Sequence, residues 1–444
     1  MLLALSAVLL TAPAIGLGAD RDRLDIRLFA RVPNPGQPEP IAIGPDRLVY
    51  VATNQLGRGD TEAASEVIAF TRQGGLLRRY VVRGQDLGHE HGIQGLAFDG
   101  SGLLYALDRA ADARVVVLNP ISGRQRDYAS FPDVPPCGSD PAAGNCSATQ
   151  TDAAAEPDYA AFAPDGTLYV TDIEQALIYR VRRGGGEAEV WFTDPRLESI
   201  FGPNGIQLMA DRRTLLFANT GSPFDQARGA LYKLPIQPDG AAGELVPFWA
   251  SQPADGPDGI AIARSGNVYV ALAGASQIAL ISPQGTELAR APADPVENLG
   301  LEVPVDAPGS AAFLGRRLLV TNHSAILGNP SSWAILDVFA GEPGLPLHYP
   351  VIAPRPWRPR IQLSVSPKRA PAGAPRRFRF RARVGTGPRS YPASGARILV
   401  GAQRLTTNRR GRAATMIRIR DRRYEAVARR RGLRPGRASI RGGR

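Results

Sequence analysis

Glu39, Gln94, Asp158, Asn204 and Asp258 stand at one place in successive copies of a repeated segment, and Gly309 stands at about that place in a sixth. Carboxylates and carboxamides gathered in this way offer hard oxygen donors and a base. Such groups hold a divalent cation or take a proton from water. The copies read PEPIAIGPDRLVYVAT from Pro38, HGIQGLAFDGSGLLYALD from His91, PDYAAFAPDGTLYVTD from Pro157, PNGIQLMADRRTLLFAN from Pro203, PDGIAIARSGNVYVAL from Pro257 and PGSAAFLGRRLLVTN from Pro308. Glu39, Gln94, Asp158 and Asp258 each lie 11 residues before a tyrosine of their own copy: Tyr50, Tyr105, Tyr169 and Tyr269. His89, Glu90 and His91, at the entry to the second copy, are further candidates for a base. His323, in TNHS, has no role that the sequence discloses.

The elements that must position these residues follow from the spacing. Intervals of 55, 64, 46, 54 and 51 residues each hold four short antiparallel strands, the content of one propeller blade. In each copy an alanine- and glycine-rich first strand, such as Ile260–Ala263, turns into a second strand such as Val268–Leu272. Third strands are expected at Ala113–Leu118, Ala176–Val181, Ala230–Leu234 and Gln277–Ile281. Leu24–Val32 precedes the first copy and is expected to close the ring on the sixth blade, beside Trp333–Phe339. Beyond Pro350–Pro359 the pattern changes. Ile361–Ser366, Arg377–Val384, Arg397–Val400 and Ala413–Ile419 alternate apolar and polar residues, as half-buried strands of a sandwich do. The chain thus divides into an apolar leader (1–19), a six-bladed β-propeller (20–349), a proline-rich linker (350–359) and a small, basic β-sandwich (360–444).

PNGIQL at Pro203 and PDGIAI at Pro257, together with Glu39 in PEPIAI, resemble the family of gluconolactonase, senescence marker protein and luciferin-regenerating enzyme. The resemblance runs from about Gln37 to Leu347. It implies one divalent cation on the propeller axis, held by Glu39, Asn204 and Asp258, and hydrolysis of a lactone or related ester. Asp258 would be ligand and catalytic base at once. Two carboxylates and one amide suit Ca²⁺ first, with Mg²⁺, Mn²⁺ or Zn²⁺ left open. Asp158 replaces the family's substrate-contacting asparagine, and with Gln94 and His91 it is expected to line the substrate pocket. No arginine here matches the one that orients a sugar acid in the family, so sugar specificity does not carry over. Taken singly, PNG and PDG are also ordinary turn sequences. The alternative function is a non-catalytic propeller that binds a cell-envelope glycan or protein, with a structural cation. The turn Asn408–Gly411 followed by RAATMIRI resembles bacterial immunoglobulin-like modules of secreted proteins.

Charge separates the two parts. The whole chain carries +12, but residues 355–444 hold 27 Lys or Arg against only Asp421 and Glu425, which leaves the remainder acidic. Such a tail suits an anionic cell-envelope polymer. Almost all of the cations are arginine, a bias that GC-rich codons also produce. Nucleic acid is not expected, since no recognition helix or stacking motif is present. The expected partner of the propeller is a small lactone or ester, and the expected state is a monomer. MLLALSAVLLTAPAIGLGAD reads as a secretory signal peptide, with a retained membrane anchor as the lesser alternative, and the protein is expected to be secreted or extracytoplasmic. Cys137 and Cys146 are the only cysteines and are expected to form a local disulfide. Closing so short a loop contributes about 2–3 kcal/mol.

Overall fold

The computed structural model describes residues 21–34, 36–55, 63–88, 91–109, 112–138, 146–147, 154–221, 228–352, 360–384, 390–420, 423–430 and 433–443. The expected leader, His89 and Glu90 lie outside the described residues. Cys137 and Cys146 are joined in a disulfide.

Six four-stranded units follow one another. Blade 1 contains Gln37–Ile43, Val49–Asn54, Glu66–Phe70 and Leu76–Val81. Blade 2 contains Gly92–Phe98, Leu104–Arg109, Arg114–Leu118 and Gln125–Ser130, and blade 3 contains Pro157–Phe162, Leu168–Asp172, Leu177–Val181 and Glu189–Thr193. Blade 4 is built from Phe201–Leu208, Thr214–Gly221, Arg228–Pro235 and Val246–Pro253, and blade 5 from Pro257–Ile262, Val268–Leu272, Gln277–Ile281 and Glu287–Ala291. In blade 6 the chain supplies Pro308–Leu314, Arg317–Asn322 and Ala334–Phe339, and the N-terminal strand Ile26–Arg31 supplies the fourth. That strand runs antiparallel to Ala334–Phe339, from Ile26 opposite Val338 to Arg31 opposite Ala334, so the ring is closed by its two ends. Closure removes the exposed sheet edges that an open array would leave.

In three copies the tyrosine bolts neighbouring blades together. Tyr50 of blade 1 meets Phe98 of blade 2 with ring centroids 4.9 Å apart, Tyr105 of blade 2 meets Phe162 of blade 3 at 5.0 Å, and Tyr269 of blade 5 meets Phe313 of blade 6 at 5.5 Å. All three pairs are edge-to-face, an arrangement that adds about 0.5–1.5 kcal/mol to the area buried. The repeat therefore fixes two things at once, a residue at the axis and a ring between sheets.

The C-terminal region is a sandwich of two sheets. The first contains Ile361–Ser366, Pro375–Val384, Tyr391–Pro392 and Arg412–Arg418, and the second contains Arg369–Pro371, Gly436–Gly443, Arg423–Arg429, Arg397–Val400 and Gln403–Thr406. Phe378, Phe380, Ala382, Val384, Ile398, Ala426 and Ile440 form its core. Pro350–Ile352 is held against the ring: Gly100 N–H donates to the Pro350 carbonyl at 2.7 Å, and Arg183 donates to that of Val351 at 2.9 Å.

Candidate functional site: a polar cluster on the propeller axis

Pro-Asn-Gly and Pro-Asp-Gly do not form turns here; both lie inside innermost strands. Every innermost strand breaks register with its neighbour at the same point: between Pro38 and Ile41, Ile93 and Gly95, Pro157 and Ala160, Pro203 and Ile206, Pro257 and Ile260, and Pro308 and Ala311. Each break carries one extra residue on the inner strand, which is a β-bulge. Glu39, Gln94, Asp158, Asn204, Asp258 and Gly309 sit in those six bulges. A bulge interrupts the strict alternation of a strand and re-aims a side chain. Threonines of the second strands repair the backbone it disturbs. Thr171 Oγ1 accepts from Tyr159 N–H at 3.0 Å, and Thr321 Oγ1 accepts from Ser310 N–H at 2.8 Å and donates to the Glu39 carbonyl at 2.7 Å.

The glycines of these motifs are needed for blade-to-blade contact. A Cβ on Gly95 would lie 2.4 Å from the Asp158 carbonyl oxygen, and one on Gly205 would lie 2.4 Å from that of Asp258. On Gly259 it would meet the Gly309 carbonyl oxygen at 2.6 Å, and on Gly309 it would meet Glu39 Oε1 at 2.7 Å. Four axial residues, Glu39, Asp158, Asp258 and Gly309, are therefore approached closely by the glycine of a neighbouring blade. That close approach brings the predicted residues into one cluster, in which Glu39, Gln94, Asp158 and Asn204 are buried and Asp258 is half-buried.

One arc of the cluster is a hydrogen-bonded chain. Arg109 pairs with Glu156 at 3.0 Å, Gln94 Nε2 donates to Glu156 Oε1 at 3.4 Å, and Asn54 Nδ2 donates to Gln94 Oε1 at 3.2 Å. Asn54 also reaches Glu39 Oε2 at 3.5 Å, and His323 Nδ1 stands 2.9 Å from the same oxygen. The opposite arc holds Asp158, Asn204 and Asp258, with the Tyr159 hydroxyl donating to Asp258 Oδ1 at 3.1 Å. Both aspartates titrate well above the usual carboxylate range. For Asp258 burial is the main cause, followed by the charge of Glu39, while His323, Tyr159 and the Gly259 N–H work the other way. For Asp158 burial again leads, then Asp258, Glu39 and Glu156, with Arg109 opposing. Burial depresses His323, yet Glu39, with Asp258 and Asp306, reverses this and raises it overall.

Asp158 is buried in the cluster and is not a solvated strand-entry residue. His91 is also buried, but its Nε2 lies 3.0 Å from the Ala63 carbonyl oxygen and its ring acts on Asp108. His323, for which the sequence discloses no role, is half-buried against Glu39. Tyr159, Asn54, Glu156 and Arg109 were not singled out either. One signal could have found part of this set. In five of the six blades the second strand carries Asn54, Asp108, Asp172, Asn219 or Asn322 at its end or within two residues of it, a second polar set that is buried throughout.

The donor set fits a hard cation. Asn204 Oδ1 and Asn219 Oδ1 are buried without a hydrogen-bond partner among the described residues. Glu39, Asp158 and Asp258 crowd negative charge into a site that burial makes costly, and positive charge would relieve it. No three His, Cys, Asp or Glu side chains among the described residues form a group able to hold a metal by themselves. The Asn204 amide would be the third donor beside Glu39 and Asp258.

Residues 193–322 match the model of a family described as the SMP-30/Gluconolactonase/LRE-like region. The matched stretch carries Asn204 and Asp258. No curated protein matches the sequence. Among solved structures, the chain is similar to a calcium-binding regucalcin from Agrobacterium tumefaciens, with 18% identity, a TM-score of 0.49 and coverage of 74% of this chain and 99% of that one. It is also similar to a gluconolactonase from Xanthomonas campestris (15% identity, TM-score 0.44, covering 68% and 86%) and to a virginiamycin B lyase from Staphylococcus aureus (14% identity, TM-score 0.43, covering 71% and 99%). The number of blades follows from the sheet topology and does not depend on these likenesses.

Proposed function

We propose that the axial cluster hydrolyses a lactone or related ester, with a divalent cation held by Glu39, Asn204 and Asp258. The observation that carries this reading is a half-buried Asp258 whose Oδ1 accepts from Tyr159 while loss of solvent and then the charge of Glu39 raise its affinity for a proton. A carboxylate so placed is a stronger base than one in water. When bound, the cation supplies positive charge at the ester carbonyl. Asp258 takes a proton from the attacking water as the new carbon–oxygen bond forms. The protonated carboxyl then returns that proton to the departing ring oxygen as the ester bond breaks. Tyr159 fixes the rotamer of Asp258, and His323 and Asn54 hold Glu39. Asp158 and Gln94 line the pocket, and the negative charge of Asp158 disfavours an acidic substrate. Oxygen donors of this kind favour Ca²⁺ ahead of Mg²⁺, Mn²⁺ or Zn²⁺. The apolar leader and the disulfide support work outside the cytoplasm.

The test is turnover of a panel of lactones of different ring size, by protein stripped of metal and by protein reloaded with Ca²⁺, with metal binding followed calorimetrically. Hydrolysis that needs the cation and is lost in Asp258→Asn supports the reading. Cation binding without turnover of any ester favours the non-catalytic alternative. Hydrolysis indifferent to both chelation and Asp258→Asn removes this site from consideration.

A further inference from the structure

Along Pro375–Val384 the side chains alternate strictly from Arg377 onward. Phe378, Phe380, Ala382 and Val384 enter the sandwich core, while Arg377, Arg379 and Arg381 are exposed and Arg383 is half-buried on the outer face. Residues two apart on a strand face are about 6.8 Å apart, so the four guanidinium groups form a row of about 20 Å. The flanking strands offer no countercharge. Arg377, Arg379, Arg381 and Arg383 stand opposite Met416, Ala414, Arg412 and Pro392 on one side, and Arg379, Arg381 and Arg383 stand opposite Ser366, Ser364 and Gln362 on the other. Arg418 extends the face at one end. Like charges placed directly opposite, as Arg381 and Arg412 are, destabilise a sheet. The effect registers on Arg383, which burial and then the charges of Arg381 and Arg78 push down.

In the propeller, Arg114 pairs with Asp108 and Asp127, Arg290 with Asp255 and Glu287, and Arg317 with Asp337. Among the described residues, Arg377, Arg379 and Arg381 have no such partner. Glu425 lies in the other sheet and pairs with Arg437.

We propose that this face, Arg377, Arg379, Arg381 and Arg383 flanked by Arg412 and Arg418, docks a linear acidic polysaccharide. Guanidinium forks bind carboxylate or sulfate groups in pairs of hydrogen bonds, and a straight row suits an extended chain with repeated charges. The outer face of these three strands carries no aromatic side chain on which a base could stack, and no helix enters a groove, which disfavours nucleic acid.

The full chain is titrated with polygalacturonate, as the carboxylate probe, and with heparin, as the sulfate probe. Oligothymidylate of matched charge serves as the nucleic-acid probe. The R377S/R379S/R381S variant should bind the polysaccharide about tenfold more weakly, at a fraction of a kcal/mol per exposed contact. An R397S/R423S/R429S control loses equal charge from the other sheet and should stay within about twofold. R377K/R379K/R381K keeps charge without the fork and should fall between, which also covers a serine variant that folds poorly. Equal weakening by both serine variants reduces the effect to net charge and overturns the proposal. So does absence of binding by the parent protein, or tighter binding of oligothymidylate than of either polysaccharide.

Discussion

The propeller and the sandwich each concentrate one sign of charge, and they do so in opposite places. On the propeller axis, Glu39, Asp158 and Asp258 are drawn inward, the first two buried and Asp258 half-buried. On the sandwich, arginines are set outward in a row with water in front of them. Burial makes like charges costly, and a small hard ion can remove that cost. Exposure makes them cheap one at a time, so only a ligand with many charges gains from the row. The geometry of each cluster thus states the size of what it holds: a single ion with a small ester on the axis, a polymer on the face.

The sharpest way to break this comparison is Asp258→Asn. If the axis is a catalytic site, kcat/KM for the best lactone falls about 10²–10⁴-fold, the range expected for losing a general base. Polygalacturonate binding by the same variant should not change. The thermal midpoint of the metal-free variant should rise, because one of the charges crowded on the axis has gone. Loss of activity with a gain in stability marks a functional site. A fall in both would assign Asp258 to the frame.

Gly205→Ala tests whether the axis is built by close approach. The new Cβ would press on the Asp258 carbonyl oxygen and on Gly259 Cα at 2.7 Å. Those are backbone atoms that no rotamer change can move. We expect a loss of about 1–3 kcal/mol in denaturant unfolding, as for other overpacked sites. Activity should drop with it, since the strand that carries Asp258 is the one displaced. A neutral result would show that the bulges leave slack.

The pH dependence separates buried from exposed charge. Asp172 titrates at about 8, from burial first and then from the charge of Glu156, while three backbone N–H groups oppose the shift. Asp158 and Asp258 move in the same direction. An acid with a folded value above its unfolded one binds more protons when folded, so its contribution to stability falls as pH rises between the two values. The metal-free protein should therefore lose thermal stability from about pH 4 to pH 8, and Ca²⁺ should flatten the part owed to the axis. Glu189, exposed at a blade edge and held at about 2 by Arg182 and Arg180, behaves oppositely and should matter only below about pH 4.5. A profile that rises from pH 4 to 8 would contradict the burial of negative charge on the axis.

What could be read from the chain beforehand follows the same division. The axial register and ring closure by Leu24–Val32 were legible because a repeat multiplies each signal six times. His323 was not, because it occurs once and only folding places it beside Glu39. The bulges were hidden as well: Pro-Asn-Gly reads as a turn until the neighbouring blade shows why the glycine is there. In the sandwich, Arg377–Val384 was visible from alternation, with phenylalanine marking the inner face. Arg423–Arg429 and Gly436–Gly443 were missed, since arginine, alanine and glycine give little hydrophobic contrast.

The smallest expected effect is also the most specific to the exposed cluster. Arg381→Glu places one carboxylate between Arg379 and Arg383 and opposite Arg412. Cross-strand pairs of opposite charge are worth about 0.2–1 kcal/mol, so the sandwich should become slightly more stable at low salt. The gain should vanish by about 1 M salt, where screening acts within 3 Å. Polysaccharide binding should weaken in the same variant, because the row is interrupted at its middle. If Arg381→Glu destabilises the protein at low salt, the arginines already have partners, and the two clusters cease to be opposites.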